Sequence, residues 1–328
     1  VIMAKTNSPL VLGSEPIGRL LTQYAIPAII AMTASSLYNM ADSIFIGHGV
    51  GALAISGLAL TFPLMNLAAA FGSLVGVGAS TLVSVKLGQK DYDGANHILG
   101  NVLVLNVLLG VGFTLVFWLL LDPILYFFGA SEQTIGYARD YMRIILLGNV
   151  ITHMYLGLNS VLRSSGFPKM AMYATLSSVI INCVLNPLFI FVFNWGIQGS
   201  AWATVISQAI SLTGQLIHFS KPTQLLHFRK GIYRLRAEIV QAILSIGLSP
   251  FLMNLCSCMI VILINRGLKE HGGDMAIGAY GIVNRIAFLF VMIIMGFNQG
   301  MQPIAGYNFG AKLYHRVTEV TRLTMRWA

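Results

Sequence analysis

The sequence predicts an all-α polytopic membrane protein: two six-helix lobes related by a parallel repeat, the second lobe incomplete within these 328 residues. Three observations predict this. Hydrophobic residues make up 56% of the chain and charged residues only 9%, with a mean hydropathy of +0.76; soluble domains carry about 25% charged residues. Apolar runs of about 20 residues, enough to cross a bilayer as a helix, recur along the whole chain. The third observation is an internal repeat. GASTLVSVKLGQK (78–90) aligns with GMQPIAGYNFGAK (300–312) at an offset of 222, and ALAIS (52–56) meets DMAIG (274–278) at the same offset. Pro27 meets Pro250 at an offset of 223. Six spans lie between the copies, so both cross the membrane in the same direction, about an axis along its normal.

Eight complete spans are read at 20–46, 52–85, 98–121, 138–162, 171–194, 200–219, 239–265 and 276–308. A ninth begins near 317 and reaches Ala328 in about a dozen residues, too few to cross a bilayer. The chain is therefore expected to hold a first lobe (1–219), a cytoplasmic connection (220–238) and part of a second lobe (239–328). No apolar core followed by a small-residue cleavage site stands near the N-terminus, so the first span is expected to direct insertion itself. Lys and Arg set the orientation. Lys5, Arg19, Lys86, Lys90, Arg163, Lys169, Lys221, Arg229, Lys230, Arg234, Arg236, Lys312 and Arg316 fall on one side; Arg139, Arg143, Arg266 and Lys269 fall on the other. The richer side is cytoplasmic, and takes the N-terminus with it. The net charge of +9 is that asymmetry rather than a nucleic-acid footprint. The three cysteines imply no disulfide framework, the seven histidines show no metal-binding spacing, and no His, Asp or Glu cluster of a membrane enzyme is found. No cofactor is expected.

Ionisable groups inside a bilayer are costly and point to function. Two stand clearly inside spans, Asp42 and Arg285. Tyr38 lies four residues before Asp42, on the same helix face, and Ser35 and Asn39 widen that polar stripe. The fifth span carries Asn182 and Asn186, and the sixth Ser200 and Thr204, each pair again four apart. One such pair is ordinary interhelical hydrogen bonding. Three pairs with a carboxylate read better as one polar pocket inside the first lobe. Carboxylate, amide and hydroxyl oxygens suit a hard cation. A carboxyl group also suits a proton, loaded from one side and released to the other. Sodium and proton coupling both remain open, with sodium the only metal ion that the pocket invites. Pro27, Pro63, Pro187, Pro250 and Pro303 lie within spans and favour kinks. The fifteen Met and many aromatic residues suit an adaptable apolar cavity as well as lipid-facing packing.

YNMADSIFIG (38–47), NCVLNPLFIF (182–191) and GSAWATVISQ (199–208) resemble the signature segments of the multidrug and toxic compound extrusion (MATE) transporters of bacteria. The resemblance covers essentially the whole chain. It implies a multi-pass, monomeric transporter of the bacterial cytoplasmic (inner) membrane. Such a protein exports amphipathic organic cations by antiport with sodium or protons, through alternating access. Its cation-coupling residues correspond to Asp42, Asn182 and Thr204 here, with Tyr141 and Asn159 as further members of the network. Many relatives carry a second acid four residues after the fifth-span Asn; this chain has Asn186, leaving one formal negative charge. The other reading is a lipid-linked oligosaccharide flippase of the same superfamily. It would line its cavity with basic groups, of which Arg285 is the only one in view.

Overall fold

The computed structural model describes residues 9–328, without most of the side chains between 261 and 289. After a 3-10 turn at Pro9–Gly13 the chain runs through α1 (Ile17–Gly49), α2 (Ala52–Gly88), α3 (Tyr92–Leu119), α4 (Leu121–Phe127), α5 (Ile135–Leu147), α6 (Asn149–Ser164) and α7 (Pro168–Pro187). It ends with α8 (Gly196–Ser220), α9 (Ala237–Gly310) and α10 (Tyr314–Trp327). The helices α1, α2, α3 and α7 are apolar around most of their circumference. Leu115, Leu119, Phe127, Ile180 and Val184 point outward and exposed, as lipid-facing positions do. Leu87, Ile98, Leu99, Leu158 and Phe219 pack inward in one cluster, and Ile46, Leu125, Tyr141 and Met142 in another.

Among the described residues five helices are long and apolar enough to cross a membrane, six if the bent α5–α6 pair is one span. The expected sixth span, α8, is not among them; Ser200, Thr204, Ser207, Ser211 and Gln215 give it a polar stripe. The expected fourth span is broken. Gly148 parts α5 from α6 with a 55° bend, at the point where a Cβ on Gly148 would lie 2.4 Å from Val205 Cγ2 of α8. The fifth span changes character at Pro187, which lacks the N–H that a helix interior needs. The next turn, Leu188–Val192, is a π-helix.

The last two complete expected spans fall within one helical element, α9. The two ends of α9 lie against α2 in opposite senses. Gly247 packs on Leu74 and Gly78 on Ile243, running antiparallel to α2, whereas Gln302 donates to Thr81 and Gly310 packs on Val85, running along it. The offset of 222 recurs in three dimensions. α2 ends at Gly88 and α3 begins at Tyr92; α9 ends at Gly310 and α10 begins at Tyr314. Between them Lys90 and Lys312 both take the left-handed conformation, φ 61° and 60°, which closes a helix by turning its next N–H back onto the last turn. The contacts are reciprocal as well. A Cβ on Gly88 would meet Tyr307 O at 2.0 Å, and one on Gly310 would meet Val85 O at 2.1 Å. The same two positions, exchanged, make the same contact, as across a two-fold axis.

The connection between α8 and α9 is pinned to α3 rather than free. Asn96 Oδ1 accepts from His227 N at 2.9 Å, and its Nδ2 donates to Leu225 O at 3.1 Å. Asn101 Oδ1 accepts from Arg236 N at 3.0 Å, and its Nδ2 donates to Arg234 O at 3.2 Å. Arg229 pairs with Asp93.

Candidate functional site

The polar pairs of three helices meet. α1 packs on α7, and α7 on α8, and each pair lies on the face turned toward the other two. Asp42 is buried, with 6% of its surface exposed. Its Oδ1 accepts from Ser200 Oγ at 2.5 Å and from Asn186 Nδ2. One turn away, Asn182 Nδ2 donates to Tyr38 OH at 3.0 Å and to Thr204 Oγ1 at 3.1 Å, while the Tyr38 and Thr204 hydroxyls share a bond of 2.9 Å. Asn186 Nδ2 also reaches Asn182 Oδ1 at 3.4 Å, which links the two tiers. Tyr141, wholly buried on α5, reaches the Thr204 hydroxyl from the fourth side. Spacing of four residues places each pair on one face; packing then brings the faces together.

Two expected members lie elsewhere. Asn39 follows Tyr38 by one residue, about 100° round the helix, and is exposed. Asn159 belongs to a second cluster near the turn between α6 and α7. Its Nδ2 donates to Ala171 O at 2.9 Å and Thr175 Oγ1 at 3.3 Å, and its Oδ1 accepts from Arg163 Nη2 at 3.1 Å. Ala171 and Thr175 stand two to three turns before Asn182 on α7, roughly 10–16 Å along its axis. Arg285 lies outside the described residues, as do the Lys5, Arg266 and Lys269 used for orientation.

Sequence reasoning passed over the link between the clusters. Ser178 Oγ donates to Ser207 Oγ at 3.5 Å, and Ser177 and Ser211 share a bond of 3.0 Å. Tyr155 of α6 reaches both Thr175 and Ser178. Ser178, Asn182 and Asn186 repeat at intervals of four along α7, a signal present in the sequence. The site has no cationic partner: among the described residues the ion pairs are all at other positions, and none includes Asp42. One buried acceptor, Asn186 Oδ1, has no donor. No group of three or more His, Cys, Asp or Glu able to hold a metal ion occurs among the described residues. The network offers instead one carboxylate, two amides and four hydroxyls, a donor set for a proton or an alkali cation.

The chain is similar to known proteins in sequence and in fold. The MatE family model matches residues 27–188 and 246–328. The multidrug export protein MepA of Staphylococcus haemolyticus (strain JCSC1435) is 32% identical over 286 residues, covering 87% of this chain and 63% of that protein. MepA of Staphylococcus aureus (strain NCTC 8325 / PS 47) is 29% identical over 297 residues, covering 90% of this chain and 66% of that one. The chain thus spans just under two thirds of the length of these curated relatives. Among solved structures, an outward-facing multidrug resistance MATE family transporter of the MOP superfamily superposes with a TM-score of 0.93 at 25% identity, over 98% of this chain and 71% of that one. A MOP superfamily transporter from Pyrococcus furiosus Vc1 (DSM3638), whose reversed pocket polarity is said to suggest a different function, gives 0.92 at 25% identity, over 98% and 72%. With the family model covering well over half of its residues, this chain belongs to the MATE family of membrane transporters, which are not enzymes.

Proposed function

We propose that the protein is a secondary active transporter of the bacterial cytoplasmic membrane. It exports amphipathic organic cations by antiport with sodium or protons, and alternates access between the two sides. The observation that carries this reading is the Asp42 network: a buried carboxylate with no cationic partner among the described residues, held by donors from two other helices. A charge held this way in a bilayer is costly unless something neutralises it, and a coupling cation does. Asp42, Asn182, Asn186 and Thr204 bind that cation, while Tyr38, Tyr141 and Ser200 hold them in place. Residues 1–219 and 239–328 act as two lobes, and the 220–238 loop ties them on the cytoplasmic side, where the N-terminus also lies. The protein works as a monomer. The names of the MepA relatives support drug-like substrates. The flippase reading is not favoured: among the described residues no ion pair brings a basic group to Asp42.

The test is efflux of a fluorescent organic cation by the full-length protein, in cells lacking their main efflux pumps, under imposed sodium or proton gradients. Wild type is expected to pump on one gradient. Asp42→Asn is expected to reach the membrane and not pump. A variant pumping as fast as wild type would overturn the assignment of Asp42.

A further inference from the structure

The loop that joins α8 to α9 is built as a surface rather than as a slack connector. Between Lys221 and Arg236 it carries five Lys or Arg and no acid. Two buried amides of α3 take up its backbone. Asn96 meets His227 N and Leu225 O, and Asn101 meets Arg236 N and Arg234 O. Ile232 packs inward, and a Cβ on Gly100 would lie 2.1 Å from its carbonyl oxygen, so the loop rests directly on the α3 backbone. Arg229 reaches back to Asp93, and Arg236 Nη2 donates to His97 Nε2 at 2.8 Å. Lys230, Tyr233, Arg234 and Leu235 are left outward and exposed. Among the described residues neither Lys230 nor Arg234 pairs with an acid.

The contacts also fix the depth of the loop. Asp93 and Asn101 are eight residues apart on α3, about 12 Å along its axis. Asn101 stands three residues into the expected span 98–121, and Asp93 five residues before it. The headgroup layer of one leaflet is about 5–8 Å thick. The loop therefore lies across that layer, from water at Asp93 to the edge of the hydrocarbon at Asn101. Backbone at this depth has to find its hydrogen bonds within the protein, and Asn96 and Asn101 supply them. We infer that the outward edge of the loop is a docking surface for anionic phospholipid headgroups; this rests on the membrane placement proposed above. Tyr233 and Leu235 suit the glycerol level and the first carbons of the acyl chains, where aromatic side chains settle. Lys230 and Arg234 meet the phosphate. A zwitterionic headgroup offers these two cations no net charge, whereas an anionic one does. Each cation near the surface strengthens association with an anionic lipid about fivefold.

The test places the full-length protein carrying Tyr233→Trp in phosphatidylcholine nanodiscs. A small share of the lipid is brominated phosphatidylglycerol or, in the control, brominated phosphatidylcholine. Quenching of the added indole is read as the difference from wild type. At low salt, brominated phosphatidylglycerol is expected to quench at a lower share than brominated phosphatidylcholine, and to lose that lead at high salt. Lys230→Gln and Arg234→Gln, each added to Tyr233→Trp, are expected to cut the preference about fivefold. Equal quenching by the two lipids overturns the inference, and so does a preference that both charge variants keep. Quenching by neither lipid, the sign of a protein segment covering the loop, overturns it too. None of these readings needs transport. A protein that prefers the anionic lipid and pumps on neither gradient sinks the transport reading alone.

Discussion

At the scale of single residues, the site depends on hydrogen bonds whose partners differ in kind. Ser200→Ala removes a charge-assisted bond to Asp42 and leaves Asn186 as the remaining donor. It is expected to cost about 1.5–3 kcal/mol of stability, seen as a lower Tm of the purified protein in detergent. Tyr38→Phe removes a neutral hydroxyl, and Asn182 keeps Thr204 as a partner. It is expected to cost only about 1 kcal/mol, a clear ranking between two conservative changes. Equal losses would mean that Asp42 is not charged in the folded state assayed. The sequence made these residues legible because spacing of four is a property of one helix alone. It did not reveal which faces meet. Asn39 sits beside Tyr38 in the chain yet turns away, and Asn159 is polar and interior yet two to three turns distant. The half-used amide of Asn186 depends on atoms from two helices 144 residues apart in sequence, so no pattern in the chain could carry it.

At the scale of helices, glycine decides where α9 can lie. Backbone approaches backbone at Gly88 and Gly310 with no room for a methyl group. Gly88→Ala and Gly310→Ala are each expected to destabilise by about 1–3 kcal/mol through overpacking. Because the contacts are reciprocal the two penalties should match, which thermal unfolding of both variants would test. The turn between α2 and α3 makes a separate prediction. Asp91 caps α3 by accepting from Gly94 N at 2.9 Å and pairs with Lys86 at 2.9 Å. The Lys86 ammonium and the Gly94 N–H hold its carboxyl below the ordinary carboxylate value. The stability this adds is fully present above the unfolded-state value and is lost as pH falls through the lower folded one. Asp91→Ala is expected to cost about 1 kcal/mol at neutral pH, the ion pair adding little because it is exposed. The difference from wild type should fade in acid. Helix positions were legible from apolar runs. The bend at Gly148 and the π-turn after Pro187 were not, since each depends on a neighbour or on how the chain absorbs a missing N–H.

At the scale of the whole molecule, the repeat was visible as Gly78, Gly88 and Lys90 against Gly300, Gly310 and Lys312. The structure adds that equivalent residues touch each other's helices. A lone carboxylate in the network carries a consequence for voltage. On the proposed antiport, one proton or sodium ion in for one monovalent organic cation out moves no net charge, so such exchange draws on the coupling ion's concentration difference and ignores the membrane potential. Clamping liposomes with valinomycin at different potassium ratios should leave the flux of a monocation unchanged. A dication moves one extra positive charge outward per cycle, against about 2.3 kcal/mol for every 100 mV of inside-negative potential. Valence would then set, through Asp42 alone, which toxic compounds a well-energised cell can expel.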